Sequence, residues 1–127
     1  MSTVIVNTLT GTTTAGSISV TGEGNSTTTN LQQGLTKVWI TIPSGQGSIT
    51  DSLNVSSLDD DATGNCGANF TNNMGNATYC IQSHDHSYGN GWSDSETTGG
   101  YDTKRRNESQ AYLDVSNIWS NVLGDLA

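Results

Sequence analysis

The residues best equipped for chemistry stand late in the chain, at His84-Asp85-His86. In an extended strand residues i and i+2 point the same way, so both imidazoles would share one face and offer nitrogen ligands to a transition metal. The flanking Ser83, Ser87 and Gly89 fit an exposed loop equally well, where both side chains are simply solvated. Asp59-x-Asp61-x-Thr63-Gly64 matches the first half of a calcium loop, in which oxygens alternate ahead of a glycine. The bidentate glutamate needed at the twelfth position is Phe70, so a turn held by Asx hydrogen bonds is the expected form. Cys66 and Cys80 fall on neighbouring predicted strands. They are either small apolar core residues or a disulfide formed after release from a reducing cytosol, which needs Cα atoms about 4.4 to 6.8 Å apart.

Catalysis finds less support. No Gly-x-Ser-x-Gly elbow is present, and no histidine falls beside a strand-end serine. Asp94 and Glu96 could form a glycosidase-like pair but sit in a stretch with no evident rigid frame, so an enzyme is not expected. Tyr88, Trp92 and Tyr101, set among Gly, Asn, Ser and Asp, have the makings of a glycan-binding loop: rings stack on sugar faces while amides and carboxylates bond hydroxyls. The alternative is that these rings pack the loop onto the domain or a neighbour. Lys104-Arg105-Arg106 reads as a docking contact or a solvated turn.

Composition constrains what can hold such residues in place. Of 127 residues, 19 are Thr, 16 Ser, 13 Asn and 15 Gly, while the apolar set supplies 31%. A compact monomer of this size buries roughly two thirds of its unfolded surface, so subunit contacts are expected to supply further burial. A net charge of -8 with four basic residues makes nucleic acid an unexpected partner, since phosphate neutralisation needs clustered Lys and Arg. No apolar run approaches the roughly 20 residues of a membrane span, and the opening lacks the charged and apolar regions of a secretory signal. The expectation is a soluble protein made inside a cell, with no membrane partner. Thr-rich, Lys-poor and nearly Pro-free, the chain reads as β-structure.

Residues 1–34 form two short β-like runs between glycine turns, with too few large apolar residues to bury themselves. They read as an arm that pairs with neighbouring chains, through Val4, Val6, Leu9, Ile18 and Val20, or as a disordered tail. In residues 35–127 the expected strands are Lys37–Ile42, ended by Pro43, then Ser48–Val55, Cys66–Thr71 and Ala77–Gln82, with a turn over Asp59–Asn65. Val38, Ile40 and Ile42 share one face opposite Trp39; Cys66, Ala68 and Phe70 share another. Spacing near ten residues suits a sandwich or barrel. Residues 83–109 read as a long polar loop, functional or hiding an irregular strand. Ala111–Leu123 is expected as strand, with a terminal helix as competitor.

Lys37-Val38-Trp39, Gly45 through Leu58, Thr63-Gly64-Asn65, Asn69 through Met74 and Asn76 through Tyr79 together resemble a module of small tail-fibre-like virion appendage proteins of marine tailed bacteriophages. Val6-Asn7-Thr8-Leu9 and Gly22-Glu23-Gly24-Asn25 resemble openings of small phage structural proteins. The likeness covers residues 4–9 and 34–82; it departs at Leu53, where an aromatic is usual, at Cys66, where Tyr is common, and at the histidine-containing stretch. It implies an all-β, jelly-roll-like antiparallel sandwich with an N-terminal arm, a homotrimer bound to other virion proteins and located in the virion after assembly in the host cytoplasm. A tail fibre, head fibre, spike or decoration protein would all fit, as a structural part or as an adhesion module for host-surface glycan. No cofactor is implied, except that three His84/His86 pairs at a trimer axis would present six nitrogens to iron or another transition metal.

Overall fold

The computed structural model describes residues 3–12, 18–21, 28–86 and 91–127. The chain divides into two units, Met1–Leu35 and Thr36–Ala127. In the first, β1 (Ser19–Thr21) pairs antiparallel with β2 (Thr28–Asn30), and a single helical turn, α1 (Leu31–Gly34), follows. The Asn30 side chain caps that turn by accepting from the Gln33 amide at 3.2 Å. Residues 3–12 carry no regular element, and Val4, Val6, Leu9 and Val20 are exposed while Ile18 is half-buried. Among the described residues no helix is long and apolar enough to cross a membrane.

The second unit is all-β. Its strands are β3 (Thr36–Ile42), β4 (Asp51–Leu53), β5 (Val55–Ala62), β6 (Asn65–Phe70), β7 (Cys80–Asp85), β8 (Gly91–Thr97), β9 (Gly100–Arg105) and β10 (Ile118–Leu123). They form two four-stranded antiparallel sheets, ordered β4-β3-β10-β7 and β5-β6-β9-β8. This arrangement is consistent with a β-sandwich. The first and last strands, β3 and β10, pair at the centre of one sheet, while the edge strands β4, β5 and β8 join their sequence neighbours through hairpins.

Period-two alternation explains the core. Val38, Ile40 and Ile42 of β3 face inward with Ile118 and Val122 of β10, and the other sheet contributes Cys66, Ala68, Phe70 and Tyr101. Outside the strands Met74 and Val115 complete it. Apolar burial alone is thin, and polar contacts tie the sheets. The Tyr101 hydroxyl hydrogen-bonds Ser120 Oγ of β10. Arg105, 1% exposed, lies with its Nε 3.2 Å from Asp85 Oδ2 of β7, and Asp85 is 3% exposed. The same guanidinium donates to Ser83 Oγ at 2.5 Å and to the Lys104 carbonyl at 3.1 Å. A Cβ on Gly91 would stand 2.1 Å from Arg105 Nη1, so the glycine at that position of β8 makes room for the guanidinium.

Four sequence expectations are corrected. The expected turn over Asp59–Asn65 is mostly strand: β5 runs to Ala62, and only Thr63-Gly64 turns, with Gly64 at φ 70°. Three consecutive aspartates are poor strand formers, but β5 is an edge strand, where outward charge discourages edge-to-edge association. The Ser48–Val55 strand is broken at Asn54, whose φ of 59° ends β4 and whose side chain bonds the Asn72 backbone. The Ala77–Gln82 strand begins at Cys80, because the Asn76 carboxamide accepts from the Thr78 amide at 2.8 Å and closes an Asx turn. The long polar stretch is not a loop throughout but contains β8 and β9. The alternative of a hidden irregular strand fits β8, whose pairing with β9 shifts register between Asp94 and Thr97 and whose Ser95 has a φ of 56°. Inward positions such as Ser93, Thr103 and Arg105 give these strands little apolar rhythm.

Removing one partner of a buried ion pair leaves the other charge uncompensated. Asp85→Ala is therefore expected to lose about 3–5 kcal/mol in urea unfolding, while replacing both partners by Asp85→Leu and Arg105→Met recovers most of that loss. Equal losses in the single and double variants would show that the pairing carries no such weight.

Candidate functional site

The strongest candidate site lies on the outer face of the β4-β3-β10-β7 sheet. Cross-strand register sets two rows there: Trp39, Asn121 and Gln82 in one, and Thr41, Trp119 and His84 in the other. The alternation that sends Val38, Ile40, Ile118 and Val122 inward sends these six outward. They line an open groove of about 410 Å³, floored by Ile40, Ser83 and Ser120. Trp119 is 40% exposed, and the His84 imidazole stacks on it with centroids 6.4 Å apart and planes 22° from parallel. Leu53 and Asp51 of β4 flank the groove opposite Trp39 and Thr41. Rings, amides and a hydroxyl on a rigid sheet can stack and hydrogen-bond; they hold no nucleophile paired with a base.

The residues singled out in the sequence are dispersed. His84 and His86 are both exposed, with His84 engaged by Trp119 and the His86 amide donating to the Asn117 carbonyl at 3.3 Å. Tyr88 lies outside the described residues. Tyr101 is corrected as a glycan candidate: at 4% exposure its ring packs against Phe70, centroids 5.9 Å apart, and no sugar can reach it. Trp92 is exposed on β8, but the Arg106 guanidinium lies 5.0 Å from its centroid and 4.5 Å from that of Tyr112, and donates to the Tyr112 hydroxyl at 2.8 Å. The three basic residues therefore have separate fates: Lys104 pairs with Asp94, Arg105 is interior, and Arg106 fills an aromatic cleft. Asp94 and Glu96 stand on β8 rather than in a loop.

Trp39, Trp119, Gln82 and Asn121 were missed as site residues. Strand alternation already set Trp39 opposite the core, but only the pairing of β3 with β10, 80 residues apart at Trp39 and Trp119, places the two indoles together.

The outer face of the second sheet differs sharply. Carboxylate oxygens of Asp59, Asp61 and Asp102 lie within 4.8 Å of one another, with Gly67 between Asp59 and Asp102 in the register. Burial first, then Asp59 and Asp61, raise the Asp102 carboxyl above the ordinary value; Asp59 raises Asp61 by repulsion and by a hydrogen bond. Burial pushes the Cys66 thiol up to about 12. Cys66 is buried on β6 and Cys80 exposed on β7 of the other sheet, and both thiols are free, which corrects the disulfide alternative.

Two outcomes are expected. A folded-state carboxyl raised above its unfolded value, about 3.9 for Asp, binds protons more tightly when folded, so stability rises as pH falls through the raised value and levels off below the unfolded one. Asp102→Asn should raise the melting temperature at pH 7 and flatten this part of the profile; a lower melting temperature at pH 7 with an unchanged profile would contradict it. Alkylation of the native protein without reductant should label Cys80 alone, and denaturation should expose Cys66 to the same reagent. Mass spectrometry reads both steps. No protein family model, curated protein or solved structure matches the chain.

Proposed function

We propose that the chain is a non-catalytic structural subunit of a phage virion appendage, a small trimeric fibre, spike or decoration protein with a jelly-roll-like sandwich, attached to its particle through the N-terminal arm. The observation that carries the reading is the arm itself. Val4 is 80% exposed and Ile5 90%, with Val6 and Leu9 also turned to solvent. In the second unit, by contrast, Val38, Ile40, Ile42, Val115, Ile118 and Val122 are buried, and the aliphatics left at the surface, Leu53 and Leu126, are 46% and 43% exposed. Each such side chain taken out of water contributes about 1.5–3 kcal/mol, a strong incentive for a partner surface.

Charge supports the same reading. Residues 3–21 contain no Asp, Glu, Lys or Arg, so copies of the arm approach without repulsion in a chain of net charge -8. A small groove of about 250 Å³ beside the hairpin, lined by Val20, Leu31 and Leu35 among others, offers apolar surface to another chain. The resemblance to virion appendages supplies the particle; the arm supplies the means of attachment.

Sedimentation equilibrium of the full chain should return a trimer mass. A variant carrying Val4→Ser, Ile5→Ser, Val6→Ser and Leu9→Ser should sediment as a monomer while keeping the thermal transition of the sandwich. A monomeric full chain at high micromolar concentration would sink the trimer, and failure of gold-labelled antibody to decorate purified particles of the source would sink the virion role.

A further inference from the structure

We propose that the outer face of β3, β10 and β7 is a binding site for a neutral oligosaccharide. The site is independent of the arm and of attachment to a particle, and goes beyond the structural role. Its six outward residues alternate by chemistry in both directions: Trp39 beside Asn121 and Gln82, then Thr41 beside Trp119 and His84. The indoles thus stand at diagonal positions, roughly 7 to 8 Å apart in backbone terms, with amides and a hydroxyl on the other squares. A pyranose chain has the complementary pattern, apolar C–H faces that stack on rings and hydroxyl edges that bond amides.

Three further observations narrow the ligand. Among the described residues, the side chains of Gln82, Asn121 and Thr41 make no hydrogen bond to protein, so their donors and acceptors are available. Of the residues lining the groove, none is Asp, Glu, Lys or Arg in a chain with twelve acidic residues, and the nearest carboxylate in the register, Asp51, stands across from Thr41. Charge complementarity therefore favours an uncharged ligand and opposes uronates and sialylated glycans. The groove's 410 Å³ falls within the range of about 300–1,000 Å³ that small-molecule sites occupy, and its open shape admits a chain running across the strands.

The His84 imidazole stacks beside the Trp119 indole, centroids 6.4 Å apart and planes 22° from parallel, and so extends the aromatic surface of the groove.

The test titrates the full chain with soluble neutral oligosaccharides of glucose, galactose, mannose and N-acetylglucosamine, and with oligogalacturonate and sialyllactose, reading heat and indole fluorescence. A neutral oligosaccharide is expected to bind, with affinity falling about tenfold or more in Trp39→Ala and in Trp119→Ala, and unchanged in Trp92→Ala on the opposite sheet. Gln82→Leu, which removes hydrogen bonds and keeps bulk, should weaken binding while leaving the circular-dichroism melt unchanged, separating ligand contact from folding. Absence of binding to every neutral sugar at low-millimolar concentration overturns the proposal. So does tighter binding of the acidic sugars, or binding indifferent to both tryptophan substitutions. A change in sedimentation caused by Trp119→Ala would instead identify the face as a contact between copies of the chain, and would also overturn it. The arm variants leave this face intact, so failure of the assembly reading and failure of the sugar site are read separately.

Discussion

The pairing of Arg105 with Asp85 is the constraint on which the arrangement of the sandwich depends. It joins β9 of one sheet to β7 of the other in an interior where both side chains are nearly inaccessible. A buried charge without its partner is far costlier than a displaced methyl group, so the pair fixes which residues of each strand turn inward. In β7 a slip of one residue would bring His84 inside and send Asp85 to solvent, stranding the guanidinium. The pair therefore sets the outer face as firmly as the inner one. Gln82 and His84 reach the groove because Asp85, between the two histidines, is held in the core.

Around this clasp the interior is more polar than its aliphatic strands suggest. The Tyr101 hydroxyl meets Ser120 across the sheets, Thr103 Oγ1 donates to the Cys66 carbonyl at 2.6 Å within its own sheet, and Arg105 also holds Ser83. A chain that is half Thr, Ser, Asn and Gly has few large apolar groups to spend on a core, and directional contacts take part of their place. Hydrogen bonds contribute modest net stability but fix geometry sharply, so such a core gains uniqueness of register more than depth of stability.

How much of this was legible in the sequence follows from locality. The faces of β3 and β6 could be read because Val38-x-Ile40-x-Ile42 and Cys66-x-Ala68-x-Phe70 alternate over consecutive residues. Of the final segment Ala111–Leu123, the strand expectation holds only for β10, Ile118–Leu123, while 111–117 carry no regular element beyond an isolated bridge at Tyr112. Strands β8 and β9 were hidden because their inward positions include Ser93, Thr103 and Arg105, which have no apolar signature. Tyr101 was read as a loop ring for the same reason: without β9 in view, nothing marked it as interior. The groove was invisible at this level because Trp39 and Trp119 meet only through non-local pairing, which local patterns do not encode.

The histidine motif shows why spacing identifies a face before it identifies a function. An i, i+2 pair guarantees only that both side chains leave the strand on one side, and the residue between them necessarily leaves on the other. In this chain the intervening position carries an aspartate, and an aspartate turned into a sandwich core requires a cation there; Arg105 is that cation. The cation needs space, which Gly91 on the adjacent strand leaves open. Three residues that look unrelated along the chain are thus one physical unit, and the outward pair follows from the inward one. The two sheet faces then diverge by composition alone: one collects Asp59, Asp61 and Asp102, whose mutual repulsion opposes close approach of anything acidic, and the other collects rings and amides with hardly a charge. An uncharged, ordered, partly aromatic face on a strongly acidic protein is the surface least opposed by the protein's own field, and it is therefore the face on which a neutral ligand can be recognised by contact rather than by charge.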